Sequence, residues 1–202
     1  MKAVILTGGK GGRLMPLTQN IRKAYLSLGS KRVIDHIIDR LPKGTDYSIS
    51  ENDIGAAAAV AESLEGSEPV MVVCGDNYFS ENFDGFIKAF TGKPLVGIYD
   101  IGAREMAKNY GVVELDSKGK IAWFIEKPKK PKDSLVSTGI YIFPPGVFHL
   151  VRHFAELNPK KNLGDLIKHL VVNTPAVYSY LFAGVWLDIG TPESYQKAQS
   201  IV

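Results

Sequence analysis

A single cysteine, Cys74, stands in 202 residues. One thiol closes no internal disulfide and builds no thiolate metal cluster, which removes a secreted disulfide scaffold and favours a reducing, cytoplasmic home. The four histidines, His36, His149, His153 and His169, have neither the helical nor the clustered spacing of a metal site, so helix-face packing or solvent is the assignment for each. Charge of one sign is scarce as well. The 24 Lys plus Arg and 21 Asp plus Glu leave +3, too little to mark a nucleic-acid partner without a clustered basic face, although anionic small substrates stay open. Long apolar runs are also missing. Ala3 to Leu6 is too short for the core of a signal peptide and enters Gly8-Gly9 rather than a cleavage site. The most apolar later stretch, Leu170 to Leu187, is broken by Asn173, Thr174, Pro175 and Ser179, so no membrane span or membrane partner is expected.

What remains is an ordinary globular composition, 45% hydrophobic and 22% charged, in a length close to one domain of about 150 residues, so residues 1–202 are taken as a single domain. Short apolar runs alternate with amphipathic stretches, the pattern of an α/β fold with a mostly parallel sheet and flanking helices. Ala3 to Leu6 and Val70 to Val73 read as strands buried on both faces. Leu95 to Tyr99, Gly111 to Leu115, Ile121 to Ile125, Ile140 to Phe143, Val177 to Leu181 and Val185 to Leu187 make the second half richer in strand. Val33, Ile34, Ile37, Ile38 and Leu41 fall at helical spacing, as do Phe83, Phe86, Ile87 and Phe90 behind Ser80, read as an N-cap. Thr191 and Pro192 open a terminal helix, and the prolines of Lys127-Pro-Lys-Lys-Pro-Lys132 mark an exposed, extended loop.

Gly8-Gly-Lys-Gly-Gly-Arg-Leu14 follows the first strand directly. Glycines there let backbone N–H groups crowd around a phosphate. The loop lacks the terminal Gly-Lys-Ser/Thr of a Walker A site, and Leu14 stands where the dinucleotide fingerprint needs its third glycine. A glycine turn carrying Lys10 and Arg13, with Lys23 just beyond, suits the charges of a triphosphate, and a tight turn with solvated cations is the competing reading.

Gly8-Gly-Lys-Gly-Gly-Arg-Leu-Met-Pro-Leu-Thr18 followed by Lys23-Ala-Tyr-Leu-Ser-Leu28 resembles the N-terminal signature of the sugar nucleotidyltransferases. The resemblance continues in order through Gly75-Asp-Asn77, Asn109-Tyr-Gly-Val-Val113, Glu126-Lys-Pro128, Ser137-Thr-Gly-Ile-Tyr-Ile-Phe143 and Trp186-Leu-Asp-Ile-Gly-Thr191, and Gly75-Asp-Asn77 is most similar to the glucose-1-phosphate thymidylyltransferases. It implies a Rossmann-like domain that joins a nucleoside triphosphate to a sugar 1-phosphate with Mg²⁺, releases pyrophosphate and yields a nucleotide-sugar of the dTDP-glucose or UDP-glucose type. Homo-oligomers are compatible with it. By resemblance, Gly8, Gly9, Gly11 and Gly12 with Arg13 would hold the triphosphate, Gly55 would abut the base, and Arg13 and Lys23 would be catalytic. Asp76 and Asp188 would hold the metal, while Tyr110, Gly111, Glu126, Lys127, Thr138 and Gly139 would line the sugar-phosphate pocket.

Elementary chemistry is compatible with these roles. An aspartate at the carboxyl end of a buried strand points to the crevice where open α/β sheets bind ligands, and Asp76 stands there; capping the next helix is its structural alternative. Asp188 sits at a strand end before the Thr191 cap, where bonding loop amides is the alternative. Lys127 alone would be a solvated charge, and its Glu126 and Pro128 neighbours reverse that, whereas Lys129, Lys130 and Lys132 stay solvated. The chain departs from the family at Gly12, usually Thr or Ser, and at Arg22, usually Pro. More seriously, Pro42 to Gly55 is too short by roughly one βα unit for the usual strand, helix and base-binding strand. Rival readings are a glycosyltransferase, disfavoured because Asp76-Asn77-Tyr78 is not Asp-x-Asp, and a non-catalytic sugar-nucleotide sensor, disfavoured by the retained Arg13, Lys23, Asp76 and Asp188. A basic-loop nucleic-acid module lacks interleaved aromatics.

Overall fold

The computed structural model describes residues 1–9 and 11–202; Lys10, one of the cations assigned to the triphosphate, lies outside the described residues. The first apolar run forms β1 (Lys2–Leu6), in which Ala3, Val4 and Ile5 are buried. After the glycine loop comes a short hairpin of β2 (Ser27–Leu28) and β3 (Lys31–Arg32). Helix α1 (Val33–Ile38) buries Val33, Ile34 and Ile37, and ends before Leu41. A strand, β4 (Tyr47–Ser50), then occupies the stretch read as too short, so the deficit does not empty that edge of the sheet. Next come α2 (Ala56–Ser63), β5 (Val70–Cys74) and β6 (Asn77–Phe79).

Helix α3 (Asp84–Lys88) corrects one expectation. Its N-cap is Phe83, whereas Ser80 Oγ accepts from Val185 N at 2.8 Å and so anchors a neighbouring loop. β7 (Leu95–Asp100), the hairpin β8 (Gly111–Leu115) and β9 (Ile121–Glu126), and the nine-residue β10 (Leu135–Phe143) follow. Helices α4 (Phe148–Leu157) and α5 (Leu163–Asn173) add to the expected elements: Phe148, Val151, Phe154 and Ala155, then Leu163, Leu166, Ile167 and Leu170, recur at helical spacing and are buried. β11 (Tyr178–Leu181), β12 (Trp186–Asp188) and α6 (Pro192–Gln199) close the chain. Thr191 caps α6 as expected: its Oγ1 accepts from Ser194 N at 3.2 Å and Ser194 Oγ accepts from Thr191 N at 3.1 Å.

The main sheet runs β11-β7-β10-β5-β1-β4, with β8 on β10 and β9 on β8. β4, β1 and β5 are mutually parallel, β7 and β11 are parallel, and β10 opposes both groups, so the sheet is mixed but mostly parallel. Period-2 alternation sorts its side chains. Val4, Val72 and Tyr141 face α2, α4 and α5, while Ala3, Ile5, Met71 and Val73 face α1, α3 and the Phe79-Phe83-Phe86-Phe182 cluster. Burial on both faces is why these strands read as continuous apolar runs. Among the described residues, no helix is long and apolar enough to cross a membrane.

Candidate active site

Two adjoining cavities open beyond the carboxyl ends of the parallel strands, where such sheets expose their loop amides and strand-end side chains. One, of about 420 Å³, is lined by Gly8, Gly9, Gly55 and Asp76, with Ser50 and Asn52 from the end of β4. The other, of about 290 Å³, is lined by Arg13, Asp76, Tyr110, Gly111, Glu126, Lys127, Thr138, Gly139 and Asp188. Asp76, Cys74, Ala56 and Leu163 belong to both walls, so the cavities form one groove. Gly11, Gly12 and Lys23 line neither: Gly12 faces a third cavity behind the loop, while Gly11 packs against the Lys23 stem. Gly11 takes φ +61, and a Cβ there would run 2.7 Å from Lys23 Cγ and 2.8 Å from Thr18 Cγ2. Only glycine lets the loop turn left-handed and pack directly on the lysine stem.

Folding brings Asp76 and Asp188 together although they are 112 positions apart. β6 and β12 pair antiparallel with Asn77 opposite Asp188, and Ile189 N donates to Asp76 O at 2.8 Å. Lys23 Nζ forms an ion pair with Asp76. Burial alone would lower the Lys23 ammonium, but Asp76, joined by Asp188, outweighs it and holds the lysine above its ordinary value. Asp188 responds oppositely. Burial first, and then the neighbouring Asp76 charge, push its carboxyl up to about 6 against the opposing pull of Lys23, Arg13 and Lys127. Its ionised form is therefore short of positive charge, which is what a divalent cation supplies. Two carboxylates without histidine suit Mg²⁺, which completes its shell with water and phosphate oxygens.

Two residues with no role in the sequence expectations, Asn77 and Trp186, hold this cluster in place. Trp186 Nε1 donates to the buried Asn77 Oδ1 at 2.9 Å, and Asn77 Nδ2 donates to Asp76 Oδ1 and to Cys74 O, each at 3.2 Å. The indole thereby fixes the amide and the amide fixes the carboxylate. Tyr110 packs edge-on against the same indole, with ring centroids 5.4 Å apart, so one wall of the second cavity rests on the support of Asp76. The Cys74 thiol lies beside Asp76, but burial pushes its pKa far above the ordinary range, leaving it protonated and unsuited to nucleophilic attack.

At the other end, Glu126 is wedged between two glycines. A Cβ on Gly111 would meet the Phe124 ring and Glu126 Oε2, and a Cβ on Gly164 would overlap that same Oε2. Gly164, on the first turn of α5, carried no sequence signal of its own. Burial raises the Glu126 carboxyl, partly opposed by Lys127, whose Nζ lies 3.6 Å from Oε1. Lys127 has φ 45 and is the one positive-φ residue other than glycine among those described; its N–H donates to Tyr110 O at 2.9 Å. That strained turn re-aims the chain leaving β9. Across the cavity, the pairing of β10 with β7 slips between Ser137 and Tyr141, where Gly139 takes φ +80. The bulge turns Thr138-Gly139 toward the cavity. The Thr138 hydroxyl itself donates to Gly97 O at 2.9 Å.

A family model for nucleotidyl transferases matches residues 2–49 and 42–202 in two pieces that meet at the shortened segment. The chain belongs to the nucleotidyl transferase family. Curated relatives include the low-salt glycan biosynthesis nucleotidyltransferase Agl11 of Haloferax volcanii, 25% identical over all of this chain and 66% of that protein. The bifunctional protein GlmU of Methanocaldococcus jannaschii is 30% identical over 95% of this chain and 52% of that protein. The chain thus spans between half and two thirds of the length of these relatives. A Bacillus anthracis structure described as a glucose-1-phosphate thymidylyltransferase in complex with sucrose superposes with TM-score 0.86 at 25% identity, covering 100% of this chain and 94% of that one. A UDP-glucose pyrophosphorylase complexed with UDP-glucose has TM-score 0.81 at 19% identity over 99% of this chain and 97% of that one, which speaks for the Rossmann-like fold.

Proposed function

We propose that this nucleotidyl transferase family member, acting from one domain over residues 1–202, transfers a nucleotidyl group from a nucleoside triphosphate to a sugar 1-phosphate and releases pyrophosphate. The observation that carries the reading is a single groove that runs from the glycine loop, past Asp76, which is paired with Lys23, and Asp188, to Glu126 and Lys127. Gly8 and Gly9 would cradle the triphosphate, and Gly55 at the start of α2 would abut the base. Arg13 faces the second cavity beside Asp188, where it would meet the reacting phosphates, and Gly190 leaves room for both side chains. Glu126 would accept sugar hydroxyls and Lys127 would neutralise the sugar phosphate, with Tyr110, Gly111, Thr138 and Gly139 as walls.

The sugar-phosphate oxygen is already an anion, so attack on the α-phosphorus needs no protein nucleophile. Alignment of the two substrates and neutralisation of their repulsion by Arg13, Lys23 and Lys127 are the tasks left to the protein. Asp76 and Asp188 would hold Mg²⁺, which when bound supplies Lewis-acid stabilisation of the phosphate charge. The glucose-linked names of two relatives of known structure support glucose 1-phosphate as first sugar to try, with thymidine or uridine triphosphate. The test is pyrophosphate release by the purified full chain with Mg²⁺ over a matrix of nucleoside triphosphates and sugar 1-phosphates. Turnover confined to pairs of the two substrates is expected. No release by folded protein across the matrix would remove the enzymatic reading.

A further inference from the structure

We infer that Arg22 is an additional triphosphate ligand and that Asp53 occupies its guanidinium and the anion position of the glycine loop until nucleotide arrives. This rests on the nucleotidyl-transfer reading above and adds to it a residue outside the family signature, at a position where the chain departs from the usual proline. The Gly9 N–H donates to Asp53 Oδ1 at 3.0 Å. Arg22 grips the same carboxylate in a fork, Nη1 to Oδ1 at 2.9 Å and Nη2 to Oδ2 at 3.2 Å. A backbone amide and a guanidinium thus converge on one anion, the donor set that recognises phosphate oxygens. Asp53 also stands on the boundary between compartments. It lines the nucleotide cavity together with Gly8 and Gly9, and it lines the cavity of about 480 Å³ behind the loop together with Gly12 and Arg22.

The contact between the two side chains is open to water. Arg22 and Asp53 side chains are 30% and 44% exposed, so water can solvate each once the contact opens. A polyphosphate brings several charges to donors that the carboxylate meets with one, and therefore displaces it. Arg22 then turns from Asp53 to the phosphates. A carboxylate left against a triphosphate would repel it, so Asp53 lowers affinity while it remains at the loop.

The rival account is that the pair merely pins the loop in shape, and the two accounts differ in sign. Isothermal titration of the full chain with tripolyphosphate, and with thymidine and uridine triphosphates, in Mg²⁺ separates them, with circular dichroism and melting curves confirming the fold of each variant. Asp53→Asn is expected to tighten tripolyphosphate binding about three- to tenfold, and Arg22→Ala in that background to weaken it below wild type by about tenfold. Asp53→Ser carries the same expectation should the asparagine variant not fold. Weaker or unchanged binding in the Asp53 variants would overturn the placeholder role. Tightening that persists in the double variant would overturn the role of Arg22. Wild-type protein that binds neither tripolyphosphate nor nucleotide would instead overturn the underlying functional reading.

Discussion

Removing the Asp188 charge should stabilise the protein when no metal is present. The wild-type carboxyl is pushed from an ordinary 3.8 up to about 6 by burial and by Asp76. Below the ordinary value it is protonated in both the folded and unfolded chain and contributes nothing. Between that value and about 6 the folded state holds the proton while the unfolded state has lost it, so stability declines as pH rises, and above about 6 the full cost is present. A displacement of this size corresponds to roughly 3 kcal/mol, and because Asp76 and Lys23 adjust with Asp188, about 1–3 kcal/mol is the working range. For a chain of this length that is roughly 3 to 8 °C in melting temperature. Asp188→Asn keeps the shape and removes the titration. In chelator at pH 7 it should melt higher than wild type, and the gap should close as pH falls toward 4. Adding Mg²⁺ should raise the wild-type melting temperature more than that of the variant. Calorimetric melts at pH 4, 5, 6, 7 and 8, with and without Mg²⁺, read all three effects. An Asp188→Asn protein that is no more stable than wild type at pH 7 without metal, or a gap that does not depend on pH, would refute the argument.

Trp186→Phe keeps most of the ring but removes the donor to buried Asn77 Oδ1, at a cost of about 1–3 kcal/mol in chemical denaturation; kcat should fall with it because Asp76 loses its support, and unchanged stability and kcat would remove the relay. Gly164→Ala should displace the Glu126 carboxylate and raise the KM for the sugar 1-phosphate well above any change for the nucleotide, which steady-state kinetics with each substrate varied will decide. Lys127→Ala should likewise act on the sugar 1-phosphate first, and equal losses for both substrates would end that assignment. Discrimination between thymidine and uridine triphosphates should be weak, because the short β4 brings no more than its Ser50-Asn52 end to the cavity assigned to the nucleotide; a kcat/KM ratio of roughly a hundredfold or more would mean that another segment distinguishes the bases.

The chemistry-bearing parts and their order are legible in the chain without any tertiary contact. Burial on both faces makes β1, β5 and the end of β10 visible as apolar runs, Thr191-Pro192 announces α6, and the glycine loop with its cations points to a polyphosphate, because each of these depends on residues adjacent in the chain. The apolar spacing of α4 and α5 is equally local. Other features were out of reach. Ser80 has the composition of a helix cap, but the Val185 N–H, in a loop from the far end of the chain, donates to its hydroxyl, since a tertiary donor competes with the local helix N–H groups. The pairing of β6 with β12 decided that Asp76 and Asp188 meet, and it made Trp186 and Asn77 the support of that meeting. Gly164 matters only because α5 starts against Glu126, and Asp53 only because the chain after β4 returns to the glycine loop. Local pattern sets which strands and turns form, whereas distances between residues far apart in sequence follow from how the layers pack, and the geometry of this groove consists mostly of such distances.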